Sequence, residues 1–290
     1  MRLPPYTSPL ARAWHYVFLF ICACVFFFLI APVLVVIPLS FNAETYFTFS
    51  DAMLRLDPDA FSLQWYRALA QDPNRPDSET SAWVIAAKNS LIIALTATAI
   101  STVLGTLAAV GLTRRNMPWR GPVMALLISP MIVPIIITGA GMFLFYSSIG
   151  LAFSMTGMVL AHAALGTPFV VITVTATLAS FDENLIRAAF SVGAKPLRTF
   201  WSVILPLCWP GVISGALFAF ITSFDEVVVV IFLAAPDQPT IPQLIWGGIR
   251  QEITLSILAA ATILIAISTL CMISVELLRR RSERLRGVRA

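Results

Sequence analysis

The chain has 290 residues, of which 58% are hydrophobic and 12% charged, and its mean hydropathy is +0.86. A soluble domain carries about a quarter of its residues as charges, so an aqueous globular fold is excluded and lipid must solvate most of the surface. The net charge of +4 does not point to nucleic acid, because the basic residues form no groove with interleaved aromatics.

A helix that crosses a hydrocarbon core of about 30 Å needs about 20 residues. Six apolar runs are long enough, near residues 15–39, 83–112, 122–147, 151–179, 207–233 and 253–277. The spacing predicts an all-α polytopic membrane protein, one transmembrane domain over residues 1–290 with six transmembrane helices. Fourteen of the nineteen Lys and Arg fall on the side of both termini and of the connections holding Arg114 and Arg187, and by the positive-inside rule that side is cytoplasmic. The first apolar run exceeds the 7 to 15 residue core of a signal peptide, so it is read as a retained span. Cys22, Cys24, Cys208 and Cys271 lie in or beside spans without ligand spacing to a histidine, and are read as small apolar residues.

After the first span, Phe41 to Ala82 is net acidic and reads as a solvated outer loop, with Phe61 to Tyr66 as a short interfacial helix. Ala94, Ala97, Ser101, Gly105 and Ala108 form a stripe of small residues along the second span, which lets helices approach closely in lipid. Pro130, Pro134 and Pro168 are candidate kinks in the third and fourth spans. His162 reads as a hydrogen-bonded interhelical residue rather than a ligand, and no metal site is expected.

Residues 180–212 are the main polar object between long apolar runs. Ser180 and Glu183 have capping-box spacing, which starts a helix near Phe181. Leu185, Ala188, Ala189 and Val192 then share one face, Gly193 can end the helix in the left-handed conformation, and Pro196 suits the first turn of the next. The pattern is a helical hairpin.

Within it, Ala188-Ala189, Gly193-Ala194 and Ile204-Leu205-Pro206 resemble the cytoplasmic "EAA loop" of membrane permease subunits in binding-protein-dependent ABC importers. The resemblance extends from Asn89-Ser90 through Gly105 to Trp246, and is greatest to spermidine and putrescine permeases. It implies a coupling helix that sits in a cleft of an ATPase subunit, carried here by Arg187, Ala188, Ala189, Val192, Gly193 and Ala194. Arg187 stands where the family usually has Glu. Two ATPase subunits, a second permease subunit and an external substrate-binding protein are implied as partners in a bacterial inner membrane. The outer segment Leu244 to Arg250 is implied as the place that receives the binding protein.

Asp225 and Glu226 are exceptional, since one carboxylate inside a span costs about 2.5 to 3.5 kcal/mol. They are read either as cation-contacting groups on the pathway or as a helix cap near the outer interface, with Thr222 placed to supply a local hydrogen bond. Neither lysine, Lys88 or Lys195, is followed by Ser or Thr, so the P-loop pattern is missing. No cofactor is expected in this chain, and its energy source must lie on another subunit. The alternative reading is a self-contained secondary carrier or channel using Asp225 and Glu226 to bind an ion, which normally shows paired broken helices in two internal repeats. The first half has no segment matching the second.

Overall fold

The computed structural model describes residues 8–70, 81–114, 116–179, 183–251 and 254–285. In chain order the first helices are α1 (Pro9–Leu39), α2 (Asp51–Leu54), α3 (Gln64–Ala70), α4 (Ala82–Leu112), α5 (Arg120–Ile132) and α6 (Ile135–Ser148). Then come α7 (Met155–Ala179), α8 (Glu183–Ser191), α9 (Pro196–Thr199), α10 (Leu205–Asp225), α11 (Val228–Leu233), α12 (Ile241–Gln251) and α13 (Leu255–Leu285). A π-helical turn, Phe200–Ile204, joins α9 to α10.

Among the described residues, four helical runs are long and apolar enough to cross a bilayer: α1, α4, α7 and Pro196–Asp225, which contains α10. A fifth span is made if α5 and α6 are taken together, although they meet at 104°. The sixth expected span falls in α13, where the apolar stretch Leu255–Leu270 is shorter than the others. The chemical cause of the 104° bend is local. Pro134 drives the preceding Val133 into the extended region (ψ 136°), and helix cannot continue through it. Pro168, by contrast, lies inside an uninterrupted α7.

The core is the three-helix packing of α4, α7 and α10. Helices in lipid gain nothing from hiding apolar surface from lipid, so close backbone approach and interhelical hydrogen bonds must hold them. Both are present. A Cβ added to Gly105 would stand 2.6 Å from the Cβ of Val170, and one added to Gly166 would stand 3.0 Å from the Cβ of Ala219. Ser101 Oγ donates to carbonyl oxygens of its own helix at Ala97 (2.8 Å) and of α7 at Ala163 (2.9 Å). Ala94, Ala97, Ser101 and Gly105 are all buried, as the stripe predicts, but its fifth member is Ala109 rather than Ala108, because Ala109 is the residue turned into the cluster with Val170, Val174 and Cys208. The helix α1 is different: most of its apolar residues are exposed, Leu39 at its end being the buried one, and its main helix contact is with α13.

One end of the bundle is tied by side chains. Ser40 Oγ and Tyr66 OH are 2.6 Å apart, Trp65 Nε1 donates to Asn42 O (2.8 Å), and Ser81 Oγ bonds Leu69 O. Asn89 Nδ2 donates to Pro239 O (3.0 Å) and Ser90 Oγ accepts from the N–H of Ile241 (3.0 Å). The segment after α1 is therefore folded rather than a solvated loop. Its organiser is Asn42, fully buried, whose amide donates to Tyr46 O and Thr48 O while its Oδ1 accepts from the N–H of Glu44. The expected helix at Phe61 to Tyr66 is displaced to α3, with Phe61 held extended in a bridge to Asn42.

Candidate functional site

At the other end, α8 and α9 make the predicted hairpin. The capping box at Ser180 falls outside the described residues. The end of α8 follows the sequence expectation closely. Gly193 has φ +82°, its N–H bonds Phe190 O (2.9 Å), and the N–H of Ala194 bonds Ala189 O (3.0 Å). Those two reversed bonds are the Schellman motif, which satisfies carbonyls a helix end leaves free. Proline then opens α9, as expected.

The hairpin turns two apolar surfaces in different directions. Ile186 and Phe190 line a cavity of about 440 Å³ together with Val110, Leu178, Phe200 and Ile204, between the hairpin and the ends of α4 and α7. Leu185, Ala188, Val192 and Leu197 are exposed, Val192 at 85%. Of the face read from periodicity, Ala189 alone is half-buried, and Arg187 and Gly193 lie on the exposed side. Exposed aliphatic groups on a polar hairpin are of the kind that commonly mark interaction sites.

The second feature is the break that ends α10. The expected continuous span 207–233 is interrupted: α10 stops at Asp225, Glu226 is extended (φ −73°, ψ 124°), and α11 restarts at Val228. The two acids take different positions there. Glu226 is buried, and its Oε1 accepts the N–H of Val229 (2.9 Å), so it caps α11. Asp225 is exposed on the surface of the chain. The local partner expected of Thr222 is not the one Glu226 uses; it is the main chain of α11. The α11 helix is held against α6 through Val229, Val230 and Leu233, packed with Tyr146, Met158 and Leu165. His162 is buried between helices, as expected, with Nδ1 2.9 Å from Ser223 Oγ and 3.1 Å from Ser223 O. Sequence reasoning did not pair it with Ser223, which lies 61 positions away. Nor did it find the π-helical turn, which has no signal in residue type. Among the described residues no group of three His, Cys, Asp or Glu is placed to hold a metal.

An all-helical, membrane-spanning bundle with a polar helical hairpin at one end and a broken helix at the other is the architecture of a transport permease. Residues 101–284 match the family described as binding-protein-dependent transport system inner membrane component, and the chain belongs to that family. Its members are transport components of the inner membrane and not enzymes. The chain is 30% identical over 272 residues to the putrescine transport system permease protein PotI of Escherichia coli (strain K12), covering 91% of this chain and 88% of that protein. It is 28% identical over 259 residues to the spermidine/putrescine transport system permease protein PotC of Haemophilus influenzae, covering 89% and 95%. Among solved structures, a bacterial ABC transporter involved in the import of the acidic polysaccharide alginate superposes with a TM-score of 0.68 at 15% identity, covering 95% of this chain and 99% of that one. The MetNI methionine ABC transporter superposes with a TM-score of 0.51 at 21% identity, covering 70% and 94%. At these identities the two structures speak for the fold alone.

Proposed function

We propose that the chain is one of two membrane subunits of an ATP-driven importer, lines half of the translocation pathway, and carries a polyamine or a related small organic cation. The observation that supports coupling is the Schellman-terminated hairpin with Leu185, Ala188, Val192 and Leu197 exposed. An ATPase cleft would cover those groups, with Arg187, Ala188, Ala189, Val192, Gly193 and Ala194 as the contact surface and Arg187 reaching a carboxylate of the partner. Two ATPase subunits, a second permease subunit and an external binding protein complete the assembly. Both termini face the cytoplasm, and α12 at the opposite end receives the binding protein.

The cationic substrate is supported by the similarity to putrescine and spermidine permeases and by Asp225, an exposed carboxylate beside a helix break. Its charge offsets part of the dehydration of an ammonium group through a charge-assisted hydrogen bond, with Thr222 one turn below it. Glu226 contributes by fixing the break, since its carboxylate is engaged in capping. The test is affinity capture from solubilised native membranes, then uptake of radiolabelled putrescine by the recovered complex in proteoliposomes. Recovery of an ATPase and a second permease chain with ATP-dependent uptake is the expected result. Uptake by the purified chain alone, driven by an ion gradient, overturns it in favour of a secondary carrier.

A further inference from the structure

A break in a helix leaves carbonyl oxygens without partners, and inside a membrane there is no bulk water to take them. In an uninterrupted α10 the Ser223 carbonyl would accept the N–H four residues on, at Val227. Because Glu226 is extended, that N–H is carried away. What stands at the Ser223 carbonyl instead is the imidazole of His162, from α7, with Nδ1 at 3.1 Å. We infer that His162 is the positioning residue of the α10 break: it caps the Ser223 carbonyl through Nδ1–H and thereby sets where the Asp225 carboxylate stands.

The tautomer follows from the partners. A carbonyl only accepts, so a bare Nδ1 would set two lone pairs against each other at 3.1 Å. In that tautomer the proton would sit on Nε2, which is buried and has no partner, leaving an orphan donor as well. A hydroxyl proton from Ser223 could satisfy Nδ1, but the carbonyl and the Nε2–H would both remain unmet. With the proton on Nδ1, the ring donates to Ser223 O and Ser223 Oγ together (3.1 and 2.9 Å), the carbonyl is satisfied, Nε2 is left as a bare acceptor, and the Ser223 hydroxyl is free to rotate its own proton elsewhere. Unpaired buried acceptors are tolerated better than unpaired donors. His162 and Glu226 are thus two halves of one device: the first satisfies the end of α10 and the second satisfies the start of α11, where its carboxylate takes the N–H of Val229. Asp225 is the residue between the two caps. It is the last residue of a helix fixed at Ser223 and immediately precedes the buried, fixed Glu226.

The part of this inference that concerns uptake rests on Asp225 lining the pathway; the part that concerns the break does not. Two measurements keep them apart. The first uses no substrate: the intact complex, with histidine labelled in ¹³C and ¹⁵N, is studied in lipid bilayers by magic-angle-spinning NMR, with a His15→Gln variant assigning the two histidines. A neutral His162 ring carrying its proton on Nδ1 is expected; a proton on Nε2, or a doubly protonated ring at neutral pH, overturns the inference.

The second compares His162→Asn, whose Nδ2 can donate from nearly the position of Nδ1, with His162→Leu, which cannot. Putrescine uptake by the Leu variant should show KM raised roughly 10-fold, the scale of one hydrogen bond to a charged or buried group, with kcat little changed. The Asn variant should restore most of the difference. Equal behaviour of the Asn and Leu variants overturns the positioning role. If Asp225→Asn leaves uptake unchanged, the pathway reading fails by itself, and the NMR result still decides the assignment of the cap.

Discussion

Replacing Gly193 isolates the hairpin's conformation from every other property of the protein. The backbone there has φ +82°, and a Cβ built onto it meets no atom within 4 Å. A substitution therefore introduces no clash, and its cost is the left-handed conformation alone, about 1–2 kcal/mol for an ordinary L-residue. Asn tolerates this region better and a β-branched residue worse, so the series Gly, Asn, Ala, Val applies a graded strain. A change of about 1–2 kcal/mol shifts the occupancy of the native hairpin by a factor of roughly 5 to 30. Gly111 is the control, because a Cβ there also meets nothing within 4 Å, but it sits inside α4, where Ala is favoured by about 1 kcal/mol. Solute moved per ATP hydrolysed, measured in proteoliposomes at matched protein levels, should fall in the order Gly, Asn, Ala, Val and be unaffected by Gly111→Ala. A Val variant that inserts, assembles and transports per ATP like the parent refutes the reasoning.

Val192→Asp places a charge on the most exposed apolar group of the hairpin and should weaken capture of the ATPase by about tenfold or more, read by pull-down, with the bundle's melting unchanged. Gly215→Ala puts a methyl 2.7 Å from the Cα of Val170 and should lower thermal stability in detergent by about 1–3 kcal/mol of overpacking. Asp225→Asn should weaken uptake of a cationic solute without loss of complex yield. Glu226→Gln, which weakens the cap on Val229, should instead lower yield; the opposite assignment of the two effects refutes the distinction drawn between the acids. Single cysteines placed at each terminus should react with an impermeant thiol reagent only from the cytoplasmic side.

The hairpin was the most legible part of the chain because its determinants are local. A glycine that must take positive φ, a proline at a helix start and an amphipathic spacing are all within reach of one another in sequence. The small-residue stripe on α4 was legible for a similar reason, and it erred by one position only at Ala108, where the identity of the facing helix decides which of two adjacent alanines turns inward. The bend at Pro134 was foreseeable as a kink, but a proline kink in sequence carries no angle, and the 104° turn at extended Val133 is seen only in the structure. The break at Glu226 was not foreseen as a break. Two adjacent acids signal that something unusual happens, yet the contact that stands beside the break, His162 on Ser223, spans 61 positions, and no local pattern reports such a pairing. The outer segment was misread for the same reason: Asn42 looks like any loop asparagine until its amide is seen closing a turn at full burial.

The two ends of the bundle differ in compliance. Hydrogen bonds between residues as far apart in sequence as Asn89 and Pro239, or Ser40 and Tyr66, lash one end together, whereas at the other a hollow of about 440 Å³ separates the hairpin from the helices above it. Between them α4, α7 and α10 are too closely packed to shear, since at Gly105 and Gly166 even a methyl group has no room. The π-helical turn at Phe200–Ile204 is the covalent link between that closely packed unit and the hairpin.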